Sequence, residues 1–102
     1  VFAFLSEYEG FGMTPIEAMS AGAAPVVLDT PVAREVYGDA ACYVPPNGEF
    51  DGRLSAALVT LVGDAQARER LRAEAPSVLS RYDWARTAAE TLAALEDAAG
   101  AR

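Results

Sequence analysis

Two carboxylates, Glu9 and Glu17, flank a stretch in which Gly10, Phe11, Gly12, Met13 and Thr14 lead from an apolar run into the start of a helix, and seven residues lie between them. Glycines ahead of a helix let the backbone turn sharply. The free N–H groups at the helix start and the positive end of its dipole then favour a phosphate at that point. A carboxylate beside such a point can accept hydrogen bonds from both hydroxyls of a ribose. Glu17 also has a purely structural reading. Thr14 as cap, Pro15 at the first helical position and Glu17 three residues after the cap form the pattern of a capping box, worth about 1 kcal/mol to the helix. The two roles compete for the same oxygens without excluding each other. Glu9 has no comparable structural role: it is either a solvated loop acid or a functional group held near the helix mouth. Glu7, nearer the strand end and without a matching partner, reads as solvated.

Positioning these residues takes a strand before them and a helix after them. Val1 to Leu5 reads as the strand, and Gly22 stops the helix. Ala24 to Asp29 reads as a second buried strand with Pro25 at its entry, completing a βαβ unit. Pro31 to Tyr37 is a short helix, capped by Thr30 or Asp29 and stopped by Gly38. Ala41 to Val44 is a brief third strand, closed by the turn cluster Pro45-Pro46-Asn47-Gly48. Three helical patterns follow. Asp51 to Val62 carries Leu54, Leu58, Leu61 and Val62 on one stripe; Ala67 to Leu79 carries Leu71, Ala75, Val78 and Leu79, with Arg68, Arg70 and Arg72 on a solvated face. Trp84 to Ala98, capped by Asp83, carries Trp84, Ala88, Leu92 and Leu95, with Trp84 as a core anchor; Ala99 to Arg102 should fray.

A strand apolar on both faces normally lies between neighbours in a parallel sheet. Because the chain opens inside one, residues 1–102 read as a single partial domain, the rear of a larger protein. The opening strand is then an uncovered edge through which the isolated segment should self-associate.

The 102 residues are 52% apolar, enough for a core. A net charge of −7 argues against a nucleic-acid partner. There is no histidine, and all eight cations are arginines, which excludes a histidine base or Schiff-base lysine within this chain. Cys42 stands alone, so there is no internal disulfide and no cysteine-rich zinc site; it reads as a strand filler in a reducing compartment. No apolar run approaches the roughly 18 residues that cross a bilayer.

Gly10-Phe11-Gly12 after a strand, with Asp29 ending the next, also mimics a dinucleotide fingerprint. Pro15 stands where the third glycine should be, and the acidic entry to the loop is unwelcoming to a bare pyrophosphate, so that reading fits less well. Glu35 reads equally as an exposed helical acid or a site residue.

The block from Ser6 to Gly22 resembles the E-x7-E signature of retaining, nucleotide-sugar-dependent glycosyltransferases of GT-B architecture, the large group 1 family. Pro25-Val26-Val27, Arg34-Glu35-Val36, Gly38-Asp39-Ala40 and Tyr82-Asp83-Trp84 resemble the landmarks that follow it in order. The resemblance implies an α/β fold, a truncated Rossmann-like half of a GT-B fold with about three parallel strands, flanking helices and a C-terminal helical segment. It implies that Glu9 contacts the donor sugar and helps stabilise an oxocarbenium-like transition state. Gly10, Phe11 and Gly12 would offer backbone N–H groups to sugar hydroxyls and phosphate, Met13 and Thr14 to the diphosphate, and Glu17 would hold the ribose. The reaction would move a sugar from a nucleoside diphosphate to an acceptor hydroxyl with retention and without a cofactor; no metal is expected, since the sequence carries no cluster of metal-ligating residues. The acceptor would be bound by an N-terminal domain absent here. The Arg/Lys pair that neutralises the diphosphate is absent too, so the segment alone should be inactive. The implied location is cytoplasmic, including the inner membrane surface if the missing domain attaches there. A sugar-nucleotide epimerase of the same architecture and a non-catalytic nucleotide-binding module are the alternatives.

Overall fold

A computed structural model describes residues 1–100. Three parallel strands, β1 (Phe2–Phe4), β2 (Pro25–Leu28) and β3 (Cys42–Val44), lie in the order β1-β2-β3. Phe2 stands opposite Pro25, and Val26 opposite Cys42. Pro25, which has no N–H to give, occupies the first position of the central strand. The helices are α1 (Met13–Ser20), α2 (Pro31–Tyr37), α3 (Phe50–Gly63), α4 (Ala65–Leu79) and α5 (Trp84–Ala99); a 3-10 turn, Gly38–Ala40, follows α2. This is the α/β architecture the sequence implies.

The core has two halves because successive strand residues point to opposite faces. Val27 packs with Ile16 and Met19 of α1, Val36 and Tyr37 of α2, and Ala75 and Val78 of α4. Val26, its neighbour, packs with Val44, Leu61 of α3 and Ala67 of α4. Helix α4 therefore serves both clusters, its first half one face and its second half the other. Its arginines do more than meet solvent, contrary to expectation: the Arg68 guanidinium donates to the Leu61 and Val62 carbonyls at 2.6 and 2.8 Å, and Arg72 donates to the Gly22 carbonyl at 2.7 Å. Asp64, the one residue between α3 and α4, caps α4 by accepting from the N–H groups of Gln66 and Ala67, so the helix begins two residues before the expected Ala67.

Two apolar expectations are overturned. Val62 is 68% exposed on the outer side of α3, and Trp84 is 79% exposed, with Leu92 and Leu95 also open and no residue of α5 buried. An apolar stripe predicts that a helix has a partner but not that the partner lies in the same chain. The Cα radius of gyration, 16.7 Å, exceeds the roughly 13 Å of a compact 100-residue domain because α5 stands away from the rest. Its start matches expectation, with Asp83 accepting from Ala85 N–H, and it ends on Gly100 in the left-handed region. Residues 101–102, where fraying was expected, lie outside the described residues. Among the described residues no helix is long and apolar enough to cross a membrane.

Strand β1 pairs on one side only, and Val1 and Leu5 at its ends are 44% and 40% exposed. An unpaired edge of this kind is a template for a second copy. Sedimentation of the isolated segment should therefore show concentration-dependent self-association. A single monomeric boundary at millimolar protein would contradict it.

Candidate functional site

The chain enters α1 earlier than the sequence suggests. Gly12 is the N-cap, at φ 85° and ψ 77°, so Met13, Thr14 and Pro15 are the first three helical residues and Glu17 the fifth. No side chain caps the helix, and the expected Thr14–Glu17 capping box is absent. The reason is local: glycine tolerates a left-handed backbone that threonine resists, so the turn closes at Gly12 and carries Thr14 into the first turn. Pro15 remains tolerable there, because the first four N–H groups of a helix have no internal partner. The other end matches expectation. Gly22, at φ 85°, forms a Schellman stop, with the Ala23 N–H on the Ala18 carbonyl at 2.9 Å and the Gly22 N–H on the Met19 carbonyl at 3.0 Å.

Freed from the cap, the exposed Glu17 lines a hollow of about 440 Å³ with Phe11, Met13, Ser20, Tyr82 and Trp84. Glu9 is exposed and lines a second hollow, of about 380 Å³, with Ser6, Phe11, Thr30, Val32 and Tyr37. The two carboxylates thus do not share one pocket; they border adjacent hollows with Phe11 as a wall common to both. Phe11 is itself braced by Tyr82, edge to face, with centroids 5.0 Å apart and planes at 89°. Gly10, Met13 and Thr14 are exposed and Gly12 is buried.

Residues that neither type nor spacing singles out hold this arrangement. Ser6 donates to a Glu9 carboxylate oxygen at 3.0 Å. The Tyr37 hydroxyl, across 25 residues, donates to the Gly12 carbonyl at 2.7 Å. Asp29 is engaged by Arg34: both its oxygens accept from the guanidinium at 2.8 Å, which holds its carboxyl below the usual range and gives it a structural role at the α2 start. Thr30, not Asp29, caps α2 by accepting from Ala33 N–H at 3.1 Å. Glu35 is exposed, and Arg81, in the Glu17 hollow, donates to the Glu35 and Val36 carbonyls. Burial pushes the Cys42 thiol pKa up, as befits a strand filler. Among the described residues no group of three metal-ligating side chains converges.

Burial, and then the nearby Glu9 charge, push the Tyr37 hydroxyl up to about 12 from an ordinary 10.0. The fold thus favours the neutral phenol. That contribution is complete below pH 10 and declines as pH rises toward 12. Denaturant midpoints at pH 9 and 11.5 check it: Tyr37→Phe should flatten the decline, and an unchanged pH slope would contradict it.

Residues 1–78 match the family model described as glycosyl transferases group 1. A phosphatidyl-myo-inositol mannosyltransferase of Mycolicibacterium smegmatis is 38% identical over 95 residues, covering 91% of this chain and 24% of that protein. A GDP-mannose:cellobiosyl-diphosphopolyprenol alpha-mannosyltransferase of Komagataeibacter xylinus is 40% identical over 89 residues, covering 81% of this chain and 21% of that protein. An O-antigen chain mannosyltransferase of Salmonella typhimurium is 34% identical over 76 residues, covering 74% of this chain and 20% of that protein. The chain therefore spans about a quarter or less of the length of these relatives. Its fold and these matches agree: the chain belongs to the group 1 glycosyl transferases.

Proposed function

We propose that this chain is the donor-binding part of a retaining mannosyltransferase that uses GDP-mannose. One observation carries the reading. The start of α1 has no side-chain cap, and the bend leading into it separates two hollows, each edged by one of the paired carboxylates. N–H groups at such a start, left without intrahelical partners, suit a diphosphate, and their alignment stabilises the charge that develops as it departs. In this reading Gly10, Phe11 and Gly12 line the sugar and its phosphate, Met13 and Thr14 bind the diphosphate, and Glu17 accepts from the ribose hydroxyls. Glu9, steadied by Ser6, faces the anomeric centre, where the bond to the diphosphate oxygen breaks and a bond to the acceptor oxygen forms on the same face. No cofactor is needed beyond the nucleotide sugar. Residues 1–102 would be one partial domain, with the acceptor site in another part of the parent protein. The relatives named for a phosphatidylinositol and a diphosphopolyprenol support a cytoplasmic protein working peripherally at the inner membrane surface.

Calorimetric titration of the parent protein with GDP tests the assignment. Glu17→Gln should weaken GDP binding roughly ten- to a hundredfold, the cost of charge-assisted hydrogen bonds to the ribose. The same substitution should matter little with 2′,3′-dideoxy-GDP, which has no hydroxyls to offer. GDP binding unchanged in Glu17→Gln would remove Glu17 from the site.

A further inference from the structure

The α1 start has no cap of its own, so something else must fix the bend in front of it. The Tyr37 hydroxyl does so. It lies 2.7 Å from the Gly12 carbonyl, on a side chain only 2% exposed, and comes from a different helix. The fit leaves no slack: a Cβ on Gly12 would stand 2.3 Å from that hydroxyl. Helix α2, which carries Tyr37, is itself held by side chains that reach carbonyls along it and just past its end. Tyr43 donates to Gly38 at 2.6 Å and to Ala33 at 3.2 Å; Tyr82 donates to Val36 at 2.7 Å, and Arg81 to Val36 at 3.1 Å. Tyr82 also carries the ring against which Phe11 rests. Two tyrosines, one under Gly12 and one behind Phe11, therefore set the bend from the protein side and leave its outer side open.

We propose that Tyr37 is a positioning residue for donor phosphate, holding the Gly12 carbonyl from beneath so that the Met13 and Thr14 N–H groups keep a fixed outward aim. The proposal rests on the donor-binding reading above. The Tyr37 ring helps line the Glu9 hollow, but its hydroxyl is engaged by the Gly12 carbonyl, and the effect proposed here passes through Gly12. Preorganised amides bind a diphosphate without reordering, whereas a loosened bend must be reordered each time the ligand arrives.

Tyr37→Phe in the parent protein removes the hydroxyl and keeps the ring. Tyr43→Phe is the comparison, since it removes a hydroxyl that holds the same helix but not the bend. Both should lower thermal stability by a similar amount. Calorimetry with GDP should separate them: Tyr37→Phe should weaken binding roughly tenfold, equivalent to about one hydrogen bond, with Tyr43→Phe close to wild type. In transfer assays, Tyr37→Phe should raise KM for GDP-mannose and leave KM for the acceptor unchanged. If Tyr37→Phe binds GDP as wild type does and is merely less stable, the hydroxyl is structural and the proposal is overturned. If wild type binds no GDP, the donor assignment fails separately. Hydrogen exchange at the Met13 and Thr14 amides then decides the role of Tyr37: faster exchange in Tyr37→Phe than in Tyr43→Phe supports positioning, and equal exchange overturns it.

Discussion

Gly12→Ala is expected to destabilise the protein by about 3 kcal/mol and to eliminate measurable donor binding. Two effects add. An alanine at φ 85° occupies a left-handed backbone at a cost of about 1–2 kcal/mol. Its Cβ, placed 2.3 Å from the Tyr37 hydroxyl, also forces that side chain away and leaves a buried polar group without its partner, at a further cost of about 1–3 kcal/mol. Against a usual total stability of about 5–15 kcal/mol this is a large fraction. Gly10→Ala supplies the control two residues away: nothing lies within 4 Å of the point its methyl group would occupy and its φ is not left-handed, so stability should stay within about 0.5 kcal/mol of wild type. Denaturant unfolding of the two variants reads the difference directly, and a Gly12→Ala midpoint equal to that of Gly10→Ala would show that the Tyr37 contact does not shape the bend.

Glu9→Gln should lower sugar transfer by a factor of about 10²–10³, or about 3–4 kcal/mol of transition-state stabilisation. The substitution isolates charge. Glutamine keeps an oxygen that can accept from the Ser6 hydroxyl, now 3.0 Å from the carboxylate, so the loop has no reason to move. In the proposed arrangement, what disappears is a negative charge facing the anomeric carbon as positive charge builds there. Glu9 is exposed, and in the proposed arrangement it would meet the ligand through the sugar rather than the nucleotide, so GDP binding should change by no more than about twofold.

Most of the architecture is legible in the residues because each element carries its own local signal. Gly22 marks a helix end with a specific geometry and acts as read, and of the two caps open to α2, Thr30 or Asp29, it is Thr30 that serves. The short apolar runs around Val26 and Val44, each bounded by turn residues, read as strands, and only the first is buried throughout. The start of α1 misleads because two local signals compete. Thr14-Pro15-x-Glu17 is a sound capping pattern, but the left-handed freedom of Gly12 lets the helix begin two residues sooner. The Tyr37 hydroxyl, 25 residues away, then braces that turn through the Gly12 carbonyl, a contact that no window of local sequence contains. Trp84 misleads for another reason: its stripe is real, yet periodicity reports a buried face without saying what buries it. The candidate site is therefore readable as a pair of acids around a bend, while its supports, Ser6, Tyr37 and Tyr82, become visible only once the chain is folded.

The most direct test of the paired acids is to measure GDP affinity and sugar transfer from GDP-mannose side by side for Glu9→Gln and Glu17→Gln in the parent protein. The expected pattern is crossed: Glu9→Gln loses transfer while holding GDP, and Glu17→Gln loses GDP affinity. If both variants bind GDP and transfer mannose as wild type does, the two acids are not donor groups and the donor-site reading is contradicted.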